Sequence, residues 1–310
     1  MRYRRYKNEL DYSYALGMAP VMELIGCRPA SVLDVFAHPD YRDDSGANIF
    51  DICEARGLRC VTNEKVFNLI ASKDNIFVIA AFRKWDVPLS SRRNHVVFVN
   101  PADAGNLGSN LRTCLGFGFG DVAIIKPGAD IFAPKTARAS MGALFHINAV
   151  GFSSFGEYAS AFPDHRKYLF MLNGKATLSD VVGIEGCAAR RRFIPDAQMQ
   201  PAVTVGRAAR RQFIPDAPPG ISDAPPGIAD ERISLVFGNE ATGLPDEFLS
   251  YGTSVRIPHS SAIDSLNLTV AVGIALHAFT SANLVVNPAK NTVNNAAKNT
   301  ANNTADNAPG

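Results

Sequence analysis

Apolar positions in this chain gather in short blocks separated by turns rich in Gly, Pro and Asn, and the blocks are of two kinds. Up to about Trp85, Ser31–Phe36 (SVLDVF) and Asn75–Ala81 (NIFVIAA) are rich in Val, Ile and Phe, which predicts strands. Between them, Asn48–Gly57 (NIFDICEARG) spaces its apolar residues as a helix does and ends on a glycine suited to a helix C-terminus. Strand and helix in alternation predict a small α/β domain over residues 1–87. The polar, proline-containing Pro88–Asn94 (PLSSRRN) reads as a linker.

From His95 the blocks change character. His95–Val99 (HVVFV), Val122–Ile125 (VAII), Lys167–Leu172 (KYLFML), Ile233–Phe237 (ISLVF) and Ser254–Ile257 (SVRI) are short and almost wholly apolar. Strands of that kind are buried on both faces, as in a parallel sheet covered by helices. A second α/β unit is therefore expected over 95–286. Its last segment, Leu266–Val286, is the longest apolar run, yet Asn267, Thr269, His277, Ser281 and Asn283 interrupt it. It predicts a buried helix rather than a membrane span.

Two stretches break the pattern. Within 187–230, Ala189–Ala197 (ARRRFIPDA) returns as Ala209–Ala217 (ARRQFIPDA), and DAPPGI occurs twice, from Asp216 and from Asp223. Short repeats rich in Pro and Arg cannot bury a core, so an expanded surface loop is expected. Residues 287–310 repeat Asn, Thr and Ala and read as a disordered tail.

Composition narrows the class. With 46% hydrophobic and 19% charged residues the chain reads as globular. A net charge of +2 announces no basic surface, so a nucleic-acid binder would have to concentrate its cations. Arg2, Arg4, Arg5 and Lys7 do so, as do Arg190, Arg191, Arg192, Arg207, Arg210 and Arg211; a solvated tail or loop explains either cluster equally well. The five cysteines form no CxxC pair, so neither a metal site nor a disulfide framework is expected, and free thiols fit a cytoplasmic location. The start, MRYRRYKNELDYSY, lacks the apolar core of a signal peptide.

Three segments carry candidate chemistry. In Asn100–Gly118 (NPADAGNLGSNLRTCLGFG) a strand ends in a turn and a helix begins near Asn106, with Arg112 within its first two turns. Such a turn aims backbone N–H groups and a helix N-terminus at an anion. GxGxxG is absent and no acidic residue follows VAII, which disfavours a nicotinamide-dependent oxidoreductase. In Leu235–Leu244 (LVFGNEATGL) a second strand runs into a loop with Glu240 at its mouth; the bland alternative is a cap on a helix near Pro245. In Ile257–Leu276 (IPHSSAIDSLNLTVAVGIAL) a loop with Asp264 and Ser265 enters an apolar helix, and either residue could be a plain N-cap. Asn267 in that first turn is expected to be buried and to bond to something specific, since buried amides need partners.

Taken in order, Asn106-x-Gly108-x-x-x-Arg112, FGNEATGL and IPHSSAIDSLNLTVA resemble the three motifs of the SpoU/TrmH group of SPOUT RNA 2′-O-ribose methyltransferases. The resemblance spans roughly Val96 to Ala282 without the repeat insertion. It implies an α/β sheet whose C-terminal part is threaded into a trefoil knot, a rare arrangement. It also implies a small α/β RNA-binding domain in front, S-adenosylmethionine as methyl donor, ribosomal or transfer RNA as substrate, and a homodimer.

Residue by residue, Arg112 matches the family's catalytic arginine, Asn106 its supporting asparagine, Glu240 the glutamate of the second motif, and Ser265 and Asn267 the pair of the third. Phe237, Gly238, Asn239, Glu240, Ile257, Pro258, Ser265 and Leu266 match the cofactor pocket. The chain departs from the pattern at Ala241, where glycine is common, and at His259 and Ser261, where methionine and glycine are more usual. Methyl transfer from a sulfonium needs no metal. A fold-retaining RNA-binding protein without turnover, and methylation of a base rather than a ribose, are the competing readings.

Overall fold

The computed structural model describes residues 3–43, 48–70, 75–183 and 232–286. The repeats between 187 and 230, with their arginine cluster, and the tail 287–310 lie outside the described residues.

The first unit runs β1 (Tyr12–Leu16), α1 (Met18–Cys27), β2 (Val32–Ala37), α2 (Ile49–Ala55), β3 (Cys60–Thr62), α3 (Glu64–Ile70) and β4 (Val78–Arg83). Its four strands lie in the order β1-β4-β2-β3, antiparallel except for β2 and β3. The strands expected at SVLDVF and NIFVIAA are β2 and β4, and the helix expected before Gly57 is α2, with Gly57 at φ 63° beyond its end. β1, β3, α1 and α3 carried no distinct signal. Period-two alternation sorts the side chains: Val35, Ala80 and Phe82 face the main core, whereas Tyr12, Tyr14, Phe36 and Ile79 face a second cluster.

The second unit runs β5 (His95–Val99), α4 (Ala104–Gly116), β6 (Asp121–Ile125), α5 (Pro134–Ala139), β7 (Asn148–Phe152), α6 (Phe155–Ala161), β8 (Arg166–Phe170), β9 (Ala176–Thr177), α7 (Leu178–Val182), β10 (Ile233–Phe237), β11 (Thr253–Arg256) and α8 (Leu268–Val286). Its seven strands are ordered β7-β6-β5-β10-β8-β11-β9 and pair in parallel throughout. The central strands β5, β6 and β10 are buried at every position, as their unbroken apolar runs require. Val96, Phe98, Val122, Leu235 and Phe237 pack on one face with Leu107 and Leu111 of α4 and Val272 and Leu276 of α8. Val97, Val99, Ala123 and Val236 face the other way, toward Phe155 and Tyr158 of α6. The edge strand β7 (NAVGF) is only half-buried, so it lacks the apolar run that marks the others.

The main core is continuous across both units. At their junction Trp85 packs edge-on to Phe132 at 4.9 Å, Phe82 meets Phe145 at 5.3 Å, and Ser13 Oγ donates to the Phe132 carbonyl. No helix among the described residues is long and apolar enough to cross a membrane. The final helix instead buries one face and exposes Val270 and Ile274 on the other.

Candidate active site

At the C-terminal ends of β10, β8 and β11 three loops surround a cavity of about 490 Å³. Ligands settle at this end of parallel sheets because the loops diverge there while the strands below stay packed. The cavity is lined by Phe237–Leu244, by Ile257, His259, Ser265 and Leu266, and by Phe170–Asn173 beyond β8. Of the residues expected to hold the cofactor, all but Pro258 line it.

The loop after β10 is held by its own asparagine. Asn239 Oδ1 accepts from the backbone N–H of Ala241 at 2.8 Å and of Thr242 at 3.3 Å, while its Nδ2 donates to the Asn100 carbonyl at 2.7 Å. One amide thus folds the loop and ties it to the end of β5. Gly238 has no room for a side chain: an added Cβ would lie 2.2 Å from the Gly243 carbonyl carbon and 2.5 Å from Leu244 N. The loop closes on bare Cα, which brings its backbone to the cavity wall.

Glu240 does not cap the turn near Pro245. Its Oε2 accepts from the Ala102 N–H at 3.2 Å and its Oε1 from Asn106 Nδ2 at 3.4 Å. The turn before α4 was expected to offer N–H groups to an anion, and here the protein's own carboxylate takes one of them. Asp103 caps α4, accepting from Asn106 N at 2.9 Å, so the helix starts at Ala104 rather than near Asn106. Arg112 consequently sits in the third turn rather than the first two. Gly108 of the motif serves packing, since a Cβ there would meet the Thr136 carbonyl at 2.4 Å.

Arg112 is exposed on α4 and is absent from the cavity wall. Asn267 is also exposed, contrary to the expected buried amide. Its Oδ1 accepts from Thr269 N at 2.9 Å, so Asn267 itself is the cap of α8, in place of Ser265 or Asp264. The helix begins two residues later than the apolar run, which leaves this amide at the solvent boundary. The structure therefore brings Asn106, Glu240 and Ser265 to one cavity and its rim, and leaves Arg112 apart.

Sequence reasoning missed the Phe170–Asn173 wall and the contribution of Leu268 and Ala271. No usable signal marked that wall along the chain: Leu172 reads as the end of an apolar strand, and only the structure, in which β8 stops at Phe170, shows it 68% exposed.

The profile of the SpoU rRNA Methylase family matches residues 93–277, well over half of the chain. The chain belongs to the SpoU rRNA methylase family. It is 29% identical over 245 residues to a 23S rRNA (adenosine(1067)-2'-O)-methyltransferase of Streptomyces laurentii, covering 75% of this chain and 73% of that protein. Among solved structures, the SpoU methyltransferase AviRb of Streptomyces viridochromogenes, in complex with the cofactor AdoMet, superposes with a TM-score of 0.61. It is 16% identical, over 87% of this chain and 90% of that one. An AdoMet-bound rRNA methyltransferase of Sinorhizobium meliloti gives 0.58 at 22% identity, over 86% of each chain. At these identities the two structures speak for the fold.

Proposed function

We propose that this SpoU-family chain transfers a methyl group from S-adenosylmethionine to a ribose 2′-hydroxyl of structured ribosomal or transfer RNA. The observation that carries the reading is the meeting of three distant motif segments at one cavity, joined by the Asn106–Glu240 hydrogen bond.

The cavity suits the donor by the chemistry of its wall. Phe237, Leu244, Val255 and Leu268 supply apolar surface, while the Asn239–Gly243 loop and Asn173 bring polar backbone and amide groups to it. Bound S-adenosylmethionine supplies an activated methyl on a sulfonium, which an oxygen nucleophile can displace. The protein's task is then to align the ribose oxygen and to manage its proton. Alignment alone contributes several kcal/mol, up to about 7–11 in the best cases.

Glu240, held by Ala102 and Asn106, fixes the turn that precedes α4 and orients the Asn106 amide at the rim. Arg112 binds a substrate phosphate and stabilises the developing alkoxide, because a guanidinium is a poor base near neutrality. The hydroxyl proton leaves to a neighbouring phosphate or to water. Since Arg112 lies away from its own chain's cavity, it acts at the cavity of a second copy. Exposed Val270 (50%) and Ile274 (38%), one turn apart on α8 beside α4, support such a homodimer.

Residues 1–87 form the substrate-binding domain, joined through 88–94 to a methyltransferase domain over 95–286 in which the C-terminal segment is knotted through a loop. The free thiols of Cys27, Cys53, Cys60 and Cys114 support a cytoplasmic location.

The test is tritiated-methyl transfer to cellular RNA, followed by digestion to nucleosides and identification of the product by mass. A 2′-O-methylnucleoside is expected. A base-methylated product would overturn the ribose assignment, and saturable RNA binding without transfer would identify a binding protein that lacks turnover.

A further inference from the structure

Away from the cavity, three side chains with metal-binding atoms converge at the junction of the two units. Glu23 and Cys27 stand four residues apart on α1 and therefore share one face of that helix. His146 ends the 3-10 turn Ala143–His146 of the second unit and points between them. The ligand atoms of all three lie within 4.8 Å of one another.

The way they converge separates two chemistries. A nucleophile–base–orienter relay would place the thiol on one imidazole nitrogen and the carboxylate on the other. Here Glu23 Oε2 is 2.8 Å from Nε2, while Cys27 Sγ lies 3.1 Å from Nε2 and 3.5 Å from Nδ1, over the face of the ring and not at the far nitrogen alone. Sulfur and oxygen thus both gather at Nε2, a clustering that suits three ligands of one ion better than a relay.

We propose that Glu23, Cys27 and His146 form a site for a zinc ion that clamps the first helix onto the second unit. Thiolate, imidazole and carboxylate suit a borderline-soft cation better than magnesium or calcium, and three protein ligands leave a fourth position for water. Tetrahedral coordination at about 2.0–2.3 Å sets S···N near ~3.5 Å and N···O near ~3.3 Å. The cluster must therefore open by about half an ångström and the imidazole must turn its Nε2 lone pair toward the sulfur, movements that rotation of the half-exposed Glu23 and Cys27 side chains and of the partly exposed His146 supplies. Binding displaces the thiol proton, and any proton on the imidazole, to solvent.

The surroundings are built to hold these groups. Gly142, at φ 94°, leaves its Cα bare against Glu23; a Cβ there would lie 2.5 Å from both Cβ and Cγ of Glu23. Arg28, next to Cys27, donates from Nε to the Phe145 carbonyl at 2.9 Å and lies 4.3 Å over the Trp85 ring. Both ligand-bearing backbones are thus braced against each other. The sequence hid the site, because a lone cysteine and a histidine 119 positions apart form no motif.

Full-length protein, reduced and stripped with a chelator, should bind one equivalent of Co²⁺ with tetrahedral d–d bands and a thiolate-to-cobalt charge-transfer band. Zn²⁺ should displace the cobalt and raise the thermal midpoint. Cys27→Ser should lose the charge-transfer band and the thermal shift, Glu23→Gln should bind at least tenfold more weakly, and Cys53→Ser should behave as wild type. Absence of a saturable cobalt spectrum in the wild type would overturn the proposal. So would an unchanged charge-transfer band in Cys27→Ser, which would put the metal on other thiols such as the hydrogen-bonded Cys53–Cys60 pair.

Discussion

Replacing Gly238 with alanine adds one methyl group at the most crowded point of the cavity wall. The three atoms it would meet are all backbone, at 2.2 Å (Gly243 C), 2.5 Å (Gly243 O) and 2.5 Å (Leu244 N). Carbon atoms pack comfortably at about 3.5–4.0 Å, so the Asn239–Gly243 loop must retreat by roughly 1 Å or more. No flexible side chain can absorb that movement, and the Asn239 hydrogen bonds to Ala241, Thr242 and Asn100 resist it. Overpacking of this kind costs about 1–3 kcal/mol, and at roughly 2–4 °C per kcal/mol the melting temperature should fall by about 2–12 °C. Because the same loop lines the cavity, the Kd for S-adenosylmethionine should rise at least about tenfold, or ~1.4 kcal/mol.

Gly252→Ala separates the two effects. Its Cβ would lie 2.2 Å from the Lys167 carbonyl oxygen, an equal collision near the opposite end of the sheet. Calorimetric titration of both variants with S-adenosylmethionine is the assay. Wild-type affinity in Gly238→Ala would refute the assignment of this loop to the donor. An equal affinity loss in Gly252→Ala would show that general destabilisation, rather than the wall, is responsible.

Arg112→Ala should abolish methyl transfer while sparing donor binding; co-expressed with Asn106→Ala, it should regain partial activity in mixed dimers, and failure to do so would place both residues at one chain's site. Asn267→Ala should cost about 1 kcal/mol of helix-cap stability, visible as faster hydrogen exchange at Thr269. Asn267→Asp keeps the cap and should retain activity; loss of turnover in it would assign the amide a direct chemical part. His95 is buried between Tyr158 and His165, and desolvation with the neighbouring imidazole brings its pKa from 6.5 down to about 3. The unfolded imidazole then takes a proton below about 6.5 that the folded one refuses until about 3. Stability should fall with pH across that window by up to about 1.4 kcal/mol per unit. Urea melts between pH 6.5 and 4 should show a shallower slope in His95→Gln, and identical slopes would contradict this.

Much of the fold was legible along the chain. Strands β5, β6 and β10 are buried at every position, so their side chains write an apolar run that needs no partner to be recognised; β8 and β11, also expected, are buried mainly at their centres. β7 and β1 were not legible: β7 is a half-buried edge strand, and β1 (YSYAL) pairs its aromatic and small residues with neighbours from β4. The order of the motifs around Asn106, Glu240 and Ser265 was likewise local information, and their resemblance to the family marked seven of the cavity's lining positions.

What each residue does there depended on distances the chain cannot state. Glu240 could have capped its own loop, and only the pairing of β10 beside β5 puts it against Ala102 and Asn106, more than 130 positions away. Asn267 looked buried because its neighbours are apolar; the start of α8 at Leu268 turns it to solvent. Glu23, Cys27 and His146 carried no signal until the two units packed together. Local propensity and periodicity decide which segments are strands and helices. Which polar groups share a neighbourhood is decided by packing between segments far apart, where burial and hydrogen bonding act on all of them at once.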